Sequence, residues 1–163
     1  MSPDSRRHLP QIAGPTNARP PFSFSAATRV AFSDTDAQSI VYYGRYAPYF
    51  DTARVEYWRH LGFESHDDPA RGEFVMRAFN IEYHAPAAFD DVLEIFCRVS
   101  RIGRTSIEFE YAVTHGGGHE EKVLATATQT MVNVDLDERK SVPIDDRVRE
   151  LITTFEGAER LTT

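Results

Sequence analysis

The sequence predicts an α+β domain, one long helix set against an antiparallel sheet, on three observations. An early segment carries an apolar stripe at helical spacing, the chain after it alternates with a period of two over four long stretches, and tight-turn residues separate those stretches. Its 163 residues suit one domain with a sizeable core. Hydrophobic residues at 41% and aromatics at 12% exclude wholesale disorder.

Residues 1–21 hold Pro3, Pro10, Pro15, Pro20 and Pro21 with few large apolar side chains, and read as a flexible Pro-rich tail preceding a domain over 22–163. Phe22, Phe24, Ala26, Thr28, Val30 and Phe32 then alternate as a strand. A polar loop, Ser33 to Ser39, leads to a helix starting at Tyr43 to Arg45. Tyr46, Tyr49, Phe50, Ala53, Tyr57 and Leu61 recur at spacings of three and four, with Asp51, Thr52, Val55 and Arg59 opposite, and Gly62 is its stop. Strands are expected near 73–84, 90–101, 104–115 and 119–135. Gly116-Gly117-Gly118 supplies positive φ for one hairpin turn, and Arg101-Ile102-Gly103-Arg104 is a second tight connection. Pro143 opens a short amphipathic helix through Val148, Leu151, Ile152 and Phe155.

Charge and composition exclude several classes of function. A net charge of −7 offers no global attraction for nucleic acid. No apolar run is long enough for a membrane span, and no apolar segment follows Arg6 and Arg7 to make a secretory signal. The one cysteine, Cys97, excludes an internal disulfide framework and a Cys-based zinc cluster, and favours a cytoplasmic location. Within its strand pattern it reads as a small buried hydrophobe. Asp34-x-Asp36 begins like a calcium loop, but Ser39 stands where that loop needs glycine and Arg45 where it needs glutamate. His115 and His119 flank a Gly-rich turn, so their spacing is no metal signature, and His60 and His84 read as packing or surface residues. No nucleophile elbow, Walker loop or dinucleotide fingerprint is present.

The segment from Asp34 to Tyr46 carries the chemistry. Two carboxylates sit in a short loop, and about seven residues after Asp36 a helix begins. A helix N-terminus presents unpaired N–H groups and partial positive charge, which polarise a carbonyl and hold a developing oxyanion. A loop carboxylate beside it serves as nucleophile or as general base toward water. Those are the parts needed to cleave an acyl bond. The plainer reading makes both aspartates turn formers or caps.

Residues 30–62, "VAFSDTDAQSIVYYGRYAPYFDTARVEYWRHLG", resemble the N-terminal signature of the 4-hydroxybenzoyl-CoA thioesterase type of hot-dog-fold acyl-CoA thioesterases. Residues 81–95, "IEYHAPAAFDDVLEI", and 100–111, "SRIGRTSIEFEY", extend the likeness over most of 24–135. The resemblance implies a long central helix wrapped by an antiparallel sheet, in a homodimer paired edge to edge or a homotetramer, with active sites at the dimer interface and no metal or redox cofactor. It makes Asp36 the catalytic carboxylate and the N–H of Tyr43 the donor that polarises a thioester carbonyl, while Asp34 is structural. Tyr46 is mainly core and also lines the acyl pocket. Ser39 stands where the family has glycine, Arg45 where it has asparagine, and Gly44 where some relatives have histidine. The implied substrate, acyl-CoA, is polyanionic, so an acidic chain needs a local cationic patch. Arg98, Arg101 and Arg104 fall within seven residues with no acid between them, and Arg101 and Arg104, flanking the turn, are the favoured phosphate contacts. A charged, solvated sheet edge is the competing reading of the same arginines. An acyl-carrier-protein thioesterase and a non-catalytic acyl-CoA-binding module are the rival functions.

Overall fold

A computed structural model describes residues 13–63, 68–69, 71–116 and 122–163. The chain runs β1 (Ala13–Pro15), β2 (Phe24–Arg29), α1 (Tyr46–His60), β3 (Phe74–Tyr83), β4 (Val92–Ile102), β5 (Ser106–His115), β6 (Val123–Asp135), β7 (Lys140–Ser141) and α2 (Asp146–Glu156). Every strand pairing is antiparallel, in the order β1-β2-β4-β5-β6-β3, with β7 on the end of β6. One long helix lies on a seven-stranded sheet, which is the hot-dog arrangement.

The helical stripe buries as its spacing requires. Tyr46, Tyr49, Phe50, Ala53 and Tyr57 are buried with Trp58, and Leu61 is partly buried behind them. The opposing positions Asp51, Thr52, Val55 and Arg59 face solvent. Gly62 takes φ +98°, the left-handed value that ends a helix without a Cβ clash. On the sheet, Ile107, Phe109, Tyr111 and Val113 of β5 point to α1, and Leu93, Ile95, Cys97 and Val99 of β4 lie beside them. Cys97 is fully buried. The four long strands fall where alternation places them; Gly117 and Gly118 of the expected β5–β6 turn lie outside the described residues.

The N-terminal segment departs from expectation. Residues 1–12 lie outside the described residues, but 13–22 are folded onto the sheet. Ala13, Gly14 and Pro15 pair with Ala26, Ser25 and Phe24 as an edge strand, a place where the missing N–H of proline breaks no ladder. The strap that follows brings Phe22 to within 5.9 Å of the Phe96 ring on the outer face of the sheet. β2 is also shorter than the alternation suggests. Phe32 sits in a 3-10 turn over Phe32–Asp34, exposed beside Phe89.

Candidate active site

The loop from Thr35 to Val41 is a miniature hairpin. Thr35 and Val41 form an antiparallel bridge, and the Asp36 N–H donates to the Ile40 carbonyl at 2.9 Å. Ser39 closes the turn, its N–H donating to the Asp36 carbonyl at 2.9 Å with φ 63°. A type I turn ending in a left-handed residue is a standard three-residue hairpin connection, and glycine suits that last position best. The Ser39 departure therefore falls on the one loop residue with a positive φ. Asp36 caps the turn by accepting the Gln38 N–H on Oδ1 at 2.8 Å, which fixes its half-buried carboxylate and leaves Oδ2 without a partner among the described residues.

Asp34 has a different environment. Its Oδ2 accepts the Ala31 N–H at 3.0 Å and the Tyr49 hydroxyl at 2.7 Å, its carbonyl accepts the Tyr42 N–H, and Arg45 lies 3.7 Å from Oδ1. Burial and the bond to Asp34 together push the Tyr49 phenol far above its ordinary range. Asp34 thus ties the loop to α1, as a structural aspartate does.

The helix start is stepped. A 3-10 turn over Tyr43–Arg45 runs directly into α1, with Tyr42 extended before it. Neither first turn holds an acidic residue, so the positive end of the dipole is unneutralised from within. The Tyr43 N–H has no acceptor among the described residues. Its carbonyl receives the Tyr83 hydroxyl at 2.9 Å, which pins the turn to the end of β3. A side chain at Gly44 would place Cβ 2.8 Å from the Tyr42 ring, so glycine lets that ring lie against the turn.

These parts meet. A cavity of about 390 Å³ is bounded by Asp36, Tyr43 and Tyr46, with Ile40 and Val41 from the hairpin and Tyr83 from β3. Tyr46 is buried, and its phenol is held above the usual range, first by desolvation and then by the neighbouring Tyr83. No Lys or Arg among the described residues lines the cavity. Three of the five expected site residues therefore share one space.

Arg101 and Arg104 do not join them. Both are exposed and form no ion pair among the described residues, whereas Arg98 is spent on Glu110 at 2.9 Å. The Asp36 loop adjoins the start of β4, where the Val30 N–H meets the Asp91 carbonyl, and Arg101 lies at the other end of that strand. At about 3.3 Å per residue the separation along the strand is about 30 Å. Sequence reasoning passed over Tyr83 and read His84 as a packing or surface residue, and both lie in the cavity wall. Their place just before the Ala85-Pro86 turn was visible, but not the curl of the sheet that brings β3 against the helix start.

Comparison with known proteins agrees with this fold. The family model described as Thioesterase-like superfamily matches residues 30–152. The acyl-CoA thioester hydrolase YbgC of Escherichia coli O6:H1 is 35% identical over 113 residues, covering 69% of this chain and 82% of that protein. The acyl-CoA thioesterase YbgC of Haemophilus influenzae is 33% identical over 128 residues, covering 77% and 91%. Among solved structures, a hypothetical protein of Aquifex aeolicus superposes with a TM-score of 0.71 at 32% identity, covering 79% of this chain and 98% of its own. On the breadth of the family match and the coverage of these relatives, the chain belongs to the Thioesterase-like superfamily.

Proposed function

We propose that this thioester hydrolase cleaves acyl-CoA to a carboxylic acid and free CoA, with Asp36 and the Tyr43 N–H as its working groups. The observation that carries the reading is the opening of the Asp36 carboxylate and the Tyr43 turn onto one cavity. The thioester carbonyl oxygen points at the Tyr43 N–H, where the helix dipole stabilises the negative charge that develops on it. Asp36 either attacks the carbonyl carbon or takes a proton from the attacking water. In both routes the C–S bond breaks, the thiolate leaves and is protonated, and one water is consumed. The apolar and aromatic wall of Val41, Tyr46 and Tyr83 receives the acyl group.

Assembly is part of this proposal. β3 is a ten-residue edge strand whose Val75, Met76 and Tyr83 are 40–48% exposed, and such an edge invites pairing with a second copy. Light scattering should return a dimer mass or a multiple of it; a monomer at micromolar concentration overturns this part. The buried thiol of Cys97 suits a reducing compartment, and the cytoplasm is the location we assign.

The test of the chemistry is release of CoA from a panel of acyl-CoA thioesters by the wild type and by Asp36→Asn. The amide keeps the shape and the turn-capping oxygen but lacks the anion. Turnover should fall by about two orders of magnitude or more, roughly 3 kcal/mol in the barrier. Near-normal turnover by a folded variant removes Asp36 from the chemistry.

A further inference from the structure

We propose that the outer face of the sheet carries a second binding site, for a small dipolar molecule bearing one carboxylate and one ammonium group. The site is a cavity of about 510 Å³ that Asp36 does not line, within the size range of small-ligand pockets. Its floor is set by register. Asn80 lies opposite Thr128, and Glu82 opposite Thr126, on the outward faces of β3 and β6. Its roof is the N-terminal strap, with Arg19 and Phe22. That strap precedes the residues matched to the superfamily, 30–152, whereas the floor of the cavity lies within them.

The charges select the ligand. Glu110, also in the wall, is neutralised by Arg98 at 2.9 Å. The side chains of Arg19 and Glu82 have no hydrogen-bond or ion-pair partner among the described residues, and they do not pair with each other. A simple anion would satisfy Arg19 and meet the repulsion of Glu82, and a simple cation would do the reverse. A molecule carrying both charges satisfies both at once. The Thr128 hydroxyl and Asn80 amide add donors and acceptors, and Phe22 offers an apolar surface for the body between the charges. The site also abuts the catalytic cavity: the Thr126 hydroxyl in its floor lies 3.1 Å from Nε2 of His84, a residue of the other cavity's wall.

Titration of the full chain with glycine, β-alanine and γ-aminobutyrate, followed by amide NMR shifts, tests the proposal. The series varies the spacing between the charges, with acetate and ethylammonium as singly charged controls. At least one member should give saturable shifts at Thr126 and Thr128, half-complete near or below about 1 mM. The controls should bind at least about tenfold more weakly, and Arg19→Ala and Glu82→Gln should each weaken binding by about tenfold or more. Both positions are at the surface, and unchanged melting temperatures establish that the variants are folded. Absence of saturable shifts with all three members overturns the site. So does a control that binds as tightly as the best member, or retained affinity in either variant.

Discussion

The Tyr49 hydroxyl donates to Oδ2 of Asp34 at 2.7 Å, across fifteen positions of sequence. That bond separates the roles of two aspartates that are two residues apart. Asp34 is drawn inward to hold the first turns of α1 against the loop, and Asp36, in the cavity wall, keeps one oxygen without a partner among the described residues. Asp34→Ala strips acceptors from the Ala31 N–H and the Tyr49 hydroxyl and should cost about 1–3 kcal/mol of stability. Tyr49→Phe should cost less, about 1 kcal/mol. Chemical denaturation of both single variants and the double variant should show strong non-additivity, since the two residues share one bond. Additive losses would mean that the bond does not couple loop to helix. Asp36→Asn, by contrast, should leave the unfolding midpoint nearly unchanged.

Ser39 occupies a left-handed backbone position at φ 63°, where a side chain is disfavoured by about 1–2 kcal/mol. Glycine removes that penalty and adds about 0.4–1 kcal/mol of unfolded-chain entropy. Ser39→Gly should therefore stabilise the protein slightly, by about 0.5 kcal/mol. Ser39→Val should destabilise it by more, because a β-branched residue tolerates a positive φ poorly. Thermal melts of the pair check the sign. A valine variant as stable as wild type would show that the loop adopts another conformation in solution.

Glu156 joins α2 to the rest of the core. Only 2% exposed, it accepts the Tyr57 hydroxyl at 2.7 Å and the Val99 N–H at 2.9 Å on Oε1, and Oε2 has no partner among the described residues. Burial pushes its pKa up, against the pull of the Tyr57 and Val99 bonds and of the Arg98 and Arg160 charges; Cys97 also faces it. A carboxyl whose folded pKa lies above its unfolded value holds its proton more tightly in the folded chain. Its stabilising contribution is complete below the unfolded pKa and is lost as pH rises through the folded one. Glu156→Gln mimics the neutral acid and does not titrate. The melting temperature of the variant relative to wild type should therefore climb as pH is raised from about 4 to about 8. A constant difference would mean that Glu156 has the same pKa in the folded and unfolded chains.

The fold was legible because its patterns are local. Tyr46, Tyr49, Phe50, Ala53 and Tyr57 announce a helix face, and Ile107, Phe109, Tyr111 and Val113 a sheet face, without knowledge of their neighbours. The site was legible where it is also local: Asp36 and Tyr43 lie in one continuous loop-to-helix segment. Three features were not. Pairing of Ala13–Pro15 with β2 goes together with the docking of the strap through Phe22, which a Pro-rich composition conceals. Phe32 continues the apolar alternation, yet it leaves the sheet because Asp34 closes a turn back onto the Ala31 N–H. Tyr83 and His84 enter the cavity wall only through the curl of the sheet around α1.

Arg101 and Arg104 provide the last prediction, because the geometry gives it an added condition. They are charges with no ion-pair partner among the described residues of an acidic chain, flanking the turn whose Gly103 N–H meets the Ser106 carbonyl. In the same chain they lie about 30 Å along β4 from the Asp36 loop. If they hold the phosphates of CoA, they do so for a thioester seated in a second copy. Replacing both with Ala should raise KM for acyl-CoA with less effect on kcat, because phosphate binding is common to ground and transition states. Hydrolysis of an acyl-pantetheine, which lacks the nucleotide, should be little changed. Mixing the double variant with Asp36→Asn separates the shared site from a single-chain one. In a mixed dimer, the site that uses the intact Asp36 of the arginine variant faces the intact arginines of the Asp36→Asn partner. Exchange of subunits should therefore restore a low KM to part of the activity. A KM that stays high in the mixture, equal to that of the double variant alone, would show that the arginines act within their own chain or not at all.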